Sequence, residues 1–447
     1  MSRADPTAAD RPSALQQLLS VRPSERALLA LSALFFFLVM AGYFILRPIR
    51  DQMGLAGGVK NLPWLFTGTL VAMLVISPLF SMLVSRWPRR RFVAFSYRVL
   101  MLCLLGFYFA MVALPEASGV WVGRAFFIWV SVFNLFAVSV FWAVMADVFH
   151  SEQSRRLYGV IAAGGSLGAL VGGLITSGLV ATVGAPALLL VSLVALELAL
   201  WCMFAIHRRV NLARPPEERT EPEIIGGSAA DGFRLALRSP YLLGLCGYML
   251  LYTIGSTFLY FLQAQIVEAT IDGDAAQTAY FASVDIWVNG LTLFLQLFLT
   301  GRLMARIGVG LTLAAVPLVS IVGFMGLGLV PVLGAVVLFT VARRVTNFAL
   351  SRPAREALFV PLTRSEKYKA KNLIDTVVYR VGDQLGAWTN GVLLWLGLGI
   401  AGIAYSAVPL AALWLGLSLW LGARYRRLQA APLQSEAPPG GGTSPSS

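Results

Sequence analysis

The sequence predicts an all-α membrane protein, with twelve transmembrane helices in two six-helix bundles. Three observations carry that expectation. The 447 residues are 57% hydrophobic and only 13% charged, whereas soluble domains carry about 25% charged residues. Apolar runs long enough to cross a bilayer recur along the whole chain. The cations gather in short clusters between those runs, as in the cytoplasmic loops of membrane proteins.

A helix needs about 20 apolar residues to span the hydrocarbon core. Twelve segments qualify, at 27–47, 62–84, 92–113, 121–147, 157–182, 186–206, 241–264, 279–300, 309–329, 331–351, 373–398 and 402–422. A turn at Pro331 alone separates the ninth from the tenth. Lipid offers no partner to an unpaired backbone N–H or C=O, so each run is read as a helix. The first, from Ala27 to Leu46, is too long for the core of a signal peptide and lacks a small-residue cleavage site; it is expected to remain as an anchor. The mean hydropathy of +0.74 fits a chain of this kind.

Loop charge sets the orientation. Cations cluster at 85–91, at Arg155 and Arg156, over 208–238, at Arg302 and Arg306, and at Arg364, Lys367, Lys369 and Lys371. The alternate loops are nearly free of them, except for Arg47, Arg50 and Lys60 after the first helix. Both termini are therefore expected in the cytoplasm, in a cell inner membrane. The stretches divide into a cytoplasmic tail at 1–26, a first bundle at 27–206, a Pro-, Glu- and Gly-rich linker at 207–240, a second bundle at 241–423 and a disordered tail at 424–447. The net charge of +13 does not indicate nucleic-acid binding, because no continuous soluble surface carries it.

No catalytic or metal pattern is present. Cys103, Cys202 and Cys246 each lie in an apolar run without a CxxC pair, and His150 and His207 lie at helix ends. No zinc ligand set, nucleophile–base pair or cofactor motif is formed, so neither an enzyme nor a cofactor is expected. Helix five carries Gly164, Gly168 and Gly172 at four-residue spacing, with Gly165 and Gly173 beside them. That stripe reads as a close helix contact, which also suits sliding in a rocking transporter. It is not a phosphate loop, since it lacks the following Lys-Ser/Thr.

Charges inside the membrane are the functional candidates, because each costs about 2.5–3.5 kcal/mol on insertion scales unless it meets a cavity or a partner. Arg47, Arg50 and Asp51 close the first run; Arg98 lies in helix three, Arg124 and Asn134 in helix four, and Glu197 in helix six. Asp285, Asn289 and Gln296 lie in helix eight, Arg343, Arg344 and Asn347 in helix ten, and Asp375, Arg380, Asp383 and Asn390 in helix eleven. Asp383 falls about 18 Å into helix eleven at 1.5 Å per residue, near mid-bilayer, with Arg380 on the same face. Two readings stand: these groups line a central cavity of net positive character for an anionic substrate, or Arg380 and Asp383 pair with each other or a neighbouring helix. Arg98 and Arg124, nearer helix ends, also admit simple snorkelling.

An internal repeat supports the two halves. Ser81-x-Leu83-x-x-Arg86-x-Pro88 follows helix two, and Gly301-x-Leu303-x-x-Arg306-x-Gly308 follows helix eight. Both resemble the Gly-x-Leu-x-Asp-Arg-x-Gly-Arg-Arg loop of the major facilitator superfamily, with Ser85 in place of the acid. Three further blocks resemble the ATP/ADP translocase family of nucleotide transporters, itself major facilitator-like. They are Tyr43-Phe-Ile-Leu-Arg-Pro-Ile-Arg-Asp51, Phe141-Trp142 with Asp147, Glu152 and Arg155-Arg-Leu-Tyr158, and Arg355-Glu356-Ala-Leu-Phe-Val-Pro-Leu362 continuing through Lys367, Lys369, Lys371, Ile374-Asp375 and Arg380-x-Gly382. The resemblance implies exchange of a nucleoside triphosphate for a diphosphate, without hydrolysis. It also implies phosphate contacts from Arg47, Arg50 and Arg380, whereas Lys367, Lys369 and Lys371 read first as a positive-inside loop. Pro48 and Asp383 depart from the family pattern. A carboxylate at 383 would repel a polyphosphate or carry a proton.

The expectation is a secondary transporter working by alternating access on a small anionic molecule, with ATP and ADP among the candidates. Its substrate residues are expected to be Arg47, Arg50, Asn134, Arg343, Arg344, Arg380 and Asp383. Asp51, Asp147, Glu152, Arg155, Arg156, Glu197, Asp285, Glu356 and Asp375 are expected in coupling or gating. The alternatives are a proton-coupled transporter of another anion, with Asp383 or Glu197 as proton carrier, and a membrane scaffold that transports nothing.

Overall fold

In a computed structural model, the described residues are 22, 25–86, 89–115, 118–149, 151–213, 239–362, 366, 370–371 and 373–430. Side chains at 77–90, 151–152, 154–156, 211–213, 305 and 376 also lie outside the description. The tail at 1–21, most of the linker, the last 17 residues, Lys367 and Lys369 are thus not described, and nor is the side chain of Arg86 in the first copy of the repeat.

The described residues form helices without strands. They are α1 (Arg26–Ala56), α2 (Leu62–Arg86), α3 (Arg89–Ala113), α4 (Gly119–Val148), α7 (Pro240–Thr270), α8 (Asp274–Phe298) and α12 (Ile400–Ala430). A single run, Ser151–Ala213, is broken by Gly184 at φ 76° into α5 (151–183) and α6 (185–213). A left-handed backbone at that value suits glycine, which has no Cβ to clash. Gly308 breaks Thr300–Leu329 in the same way, and the segment after it is α9 (309–329). Val330-Pro331-Val332 separates α9 from α10 (Leu333–Ala357), as the sequence led one to expect. α11 opens on a π turn, Ile374–Val378, and runs to Trp395. α10 contains a second π turn, Asn347–Ser351.

One expected boundary moves. α1 continues nine residues past Arg47 to Ala56, with Pro48 inside it. Arg47, Arg50 and Asp51 are therefore helical residues within the membrane, not a charged loop after the helix. They are tolerated there because each has a charged partner, described below. This removes the exception that these residues made in the loop-charge pattern.

Close backbone contacts hold each half together. Cβ atoms added at Gly164 and Gly172 would stand 2.6 and 2.5 Å from the carbonyl oxygens of Ala33 and Ala41, and one at Gly168 would overlap that of Phe37. The stripe on α5 thus seats on the backbone of α1, every fourth residue against every fourth residue. The second half repeats the arrangement: Gly382 and Gly386 on α11 seat against Leu250 and Ile254 on α7. Gly310 on α9 and Gly422 on α12 meet backbone to backbone. Between the halves, α8 packs on α1 and α5, and α2 packs on α11.

Candidate functional site

The helices alternate in direction, so one face carries the helix ends nearest the termini and the other is distal to them. Counting from the distal ends at 1.5 Å per residue, Arg47 lies about 14 Å deep, and Asp285 and Arg344 about 16 Å deep. All three fall near the middle of a core about 30 Å thick. The fold brings them together there. Arg47 Nη1 donates to Asp285 Oδ1 at 2.5 Å and Arg344 Nη1 donates to the same oxygen at 2.8 Å. Arg47 comes from the first half, and Asp285 and Arg344 from the second. Asp285 Oδ2 is buried without a partner among the described residues. Each guanidinium spends one nitrogen on the acid, and its other donors make no hydrogen bond among the described residues. Arg47 also stands over the Phe44 ring.

One turn further along α1, Arg50 donates to Asp51 Oδ1 through Nε and Nη2 and stands over the Phe127 ring. Tyr260 on α7 donates its hydroxyl to the same oxygen at 3.2 Å. Gln52 Nε2 donates to Asp274 Oδ1 at the start of α8 at 2.8 Å. Residues 47, 51 and 52 thus tie α1 to the second half on its way to the distal face. α2 and α11 close the same face elsewhere. Thr67 donates to Gln384 at 3.0 Å, Trp388 Nε1 donates to Thr67 at 3.1 Å, and the Trp64 and Trp388 rings meet edge to face at 4.9 Å. The arrangement is a mid-membrane charged cluster lying beneath a polar and aromatic closure.

Arg380 and Asp383 pair on α11 at 3.2 Å, with Thr257 of α7 donating to Asp383 at 3.5 Å. The pairing reading therefore holds for these two, within the second half. Arg343 behaves unlike its neighbour Arg344. It is 3% exposed and turns into the second half, donating to Ser320 Oγ, Ser256 Oγ and the Tyr252 carbonyl at 2.8–3.0 Å between the Tyr252 and Trp414 rings. Successive helical residues diverge by about 100°, so one of two adjacent cations faces the interface and the other faces away. Arg47, Arg50, Arg344 and Arg380 stand against Asp51, Asp285 and Asp383, which leaves the group one cation in surplus.

The remaining candidates lie elsewhere. Asn134 is half-buried on α4 and makes no hydrogen bond among the described residues. Asp147 is half-buried at the terminal-face end of α4. Glu152, Arg155 and Arg156 begin α5, and their side chains lie outside the described ones. Glu356 pairs with Lys371 at 2.7 Å and Asp375 with Arg355 at 3.9 Å, both near the terminal face. Glu197 pairs with Arg98 on the outside of the first half, away from the central group. Tyr260, Gln52, Asp274, Thr67, Gln384 and the tryptophan pair were not foreseen; each is an ordinary residue in sequence and acquires its role only from its partner.

The sequence profile described as Major Facilitator Superfamily matches residues 29–351. The ADP,ATP carrier protein 1 of Chlamydia muridarum (strain MoPn / Nigg) is 23% identical over 343 residues, which cover 67% of this chain and 64% of that protein. Its counterpart in Chlamydia trachomatis serovar D is 23% identical over 322 residues, 63% of this chain and 60% of that one. The chain thus spans less than two thirds of the length of these curated relatives. Among solved structures, the nucleoside transporter NupG aligns with a TM-score of 0.58 at 11% identity, over 92% of this chain and 100% of that one. A bacterial homologue of the human lysosomal transporter Spinster, inward-facing and unoccupied, aligns with a TM-score of 0.53 at 13% identity, over 91% and 97%. At such identities the likeness establishes the fold.

Proposed function

We propose that this chain, which belongs to the Major Facilitator Superfamily, is an alternating-access exchanger of nucleotides or similar phosphorylated anions. One observation carries the reading: two arginines from opposite halves converge at mid-membrane, each with donors to spare. A phosphate accepts hydrogen bonds from such forks in pairs. A site shared by both halves can be offered to each face in turn as the halves rock about it. The similarity to ADP,ATP carriers points to a nucleotide as the anion. We place the two six-helix bundles at 27–206 and 241–423, both termini in the cytoplasm and the protein in the inner membrane. On that orientation the closed distal face is the outer one. Exchange requires no bond to be broken, so the reading assigns no catalysis.

Proteoliposomes loaded with ADP and offered labelled ATP test this. Counterflow above that of unloaded vesicles is expected, and its absence with folded protein would defeat the nucleotide reading. A second reading, proton-coupled movement of another anion, is favoured by Asp383, a buried carboxylate held by one arginine and one threonine. The placement of Glu197 among lipid-facing residues leaves Asp383 the better proton carrier of the two. A non-transporting scaffold has no use for a charged cluster at mid-membrane.

A further inference from the structure

Arg47, Arg50, Arg344 and Arg380 each pair with an aspartate; Arg343 does not. It lies about 15 Å from the distal start of α10, near mid-membrane, and is 3% exposed. Its three acceptors, Ser320 Oγ, Ser256 Oγ and the Tyr252 carbonyl, are all neutral. So are the rings it stands over, Tyr252 at 5.3 Å and Trp414 at 5.8 Å. A guanidinium keeps its proton inside proteins, so this charge cannot be shed. Neutral acceptors satisfy its donors but leave the charge unbalanced, and a buried ion without a counter-ion is costly. Of its five N–H groups, Nε, Nη1 and Nη2 each spend one on these acceptors. One N–H remains on each terminal nitrogen.

The space beside Arg343 is suited to an ion. A small cavity lies between α7, α9 and α12, lined by Gly255, Ser320 and Trp414 together with apolar side chains such as Phe258 and Phe324. Three of these residues border Arg343. Ser320 accepts from its Nε, the Trp414 ring lies beneath its guanidinium, and a Cβ at Gly255 would stand 3.3 Å from its Nη2. Trp414 is 1% exposed, and its Nε1–H has no acceptor among the described residues. The Ser320 hydroxyl already donates to the Val316 carbonyl at 2.8 Å. The surroundings therefore hold one positive charge and unspent donors, and no acid lines the cavity. Its free space is that of about one water molecule.

We propose that this cavity binds a single halide ion, chloride in the cell, held by Arg343 and the Trp414 indole. Charge and size select that occupant. The guanidinium repels a cation. A water would accept from the indole but leave the charge unbalanced. Phosphate, sulfate and carboxylates are too large for the space. The ion completes the balance of charge inside the second half, and so supports the packing of α7, α9, α10 and α12. It is not the transported anion, because Arg343 faces away from the cluster of Arg47, Asp285 and Arg344. The proposal is therefore independent of the substrate.

The melting temperature of the full chain, purified in sodium gluconate and titrated with sodium chloride or bromide at constant ionic strength, tests this. A ligand stabilises the state it binds, so both halides should raise the melting temperature along a saturating curve. Sulfate stabilises proteins generally by exclusion from their surfaces, and its effect should not saturate. Arg343→Gln removes the charge and should abolish the saturable rise. Trp414→Phe keeps a ring but removes the N–H, and should weaken the apparent halide affinity at least tenfold. That variant decides the matter if Arg343→Gln fails to fold. Arg47→Gln should keep the wild-type curve, which a halide bound in the central cluster would not. A wild type without a saturable halide effect would overturn the proposal. So would an affinity unchanged in Trp414→Phe, or an effect lost in Arg47→Gln.

Discussion

Replacing Asp285 with Asn keeps the shape of the side chain and an acceptor oxygen but removes the charge between two arginines. Arg47 Nη1 and Arg344 Nη1 reach the same oxygen at 2.5 and 2.8 Å. Those nitrogens are at most about 5 Å apart, and two unit charges at that distance repel by about 3 kcal/mol at an effective dielectric near 20. Both side chains are 19% exposed, so screening reduces the repulsion to roughly 1–2 kcal/mol. In the native protein the carboxylate offsets it. In the variant it acts across the boundary between the halves and favours their separation at the distal face. A bias of that size shifts the closed-to-open ratio by about five- to thirtyfold. Gln52 reports the shift, because it is 4% exposed and bonded across the closure to Asp274. With Cys103, Cys202 and Cys246 replaced by Ser, a Gln52→Cys protein is labelled with a membrane-impermeant maleimide, with and without Asp285→Asn. Labelling about five- to thirtyfold faster in the presence of Asp285→Asn is expected. Equal rates in two folded proteins would mean that Asp285 does not hold the halves together.

Two other substitutions address packing and coupling. Gly168→Leu drives a side chain into the Phe37 carbonyl, which a backbone cannot yield, and should destabilise by about 3 kcal/mol or more. Gly178→Leu on the same helix, where nothing stands within 4 Å, should leave the melting temperature at or above that of the parent. Asp383→Asn releases Arg380 from its anchor. For an anion exchanger, counterflow without a pH gradient should persist with affinity changed by about tenfold or less, whereas a proton-coupled carrier would lose gradient-driven uptake. Initial rates with and without an imposed gradient separate the two.

The helices were legible because lipid demands long apolar runs, and even the narrow Pro331 divide between α9 and α10 stands where periodicity ends. The extent of α1 past Arg47 was not legible: an apolar run stops there, and Asp285, the partner that keeps Arg47 in the membrane, is 238 residues away. Glu197 and Asp285 looked alike as mid-helix acids. Their neighbours differ in a way that local spacing carries. Asp285 shares its helix face with Thr278, Asn289, Thr292 and Gln296, a polar stripe, whereas Glu197 has Leu190, Leu193, Val194, Trp201 and Phe204. A lone acid in an apolar stripe belongs to the lipid side, and one in a polar stripe to the interior. The π turns at Asn347–Ser351 and Ile374–Val378 left no such trace.

In the proposed exchanger, Arg47 and Arg344 together receive the anion. Thermal-shift titration with ATP, ADP and inorganic phosphate tests it most directly, because a ligand stabilises the state it binds. Stabilisation of the wild type by at least one of the nucleotides is expected. Arg47→Gln and Arg344→Gln should each lower the apparent affinity at least tenfold. Arg343→Lys, which breaks a fork bonded to Ser320, Ser256 and Tyr252, should lower the melting temperature without changing that affinity. Affinity unchanged in both Arg47→Gln and Arg344→Gln, or lost only in Arg343→Lys, would contradict it.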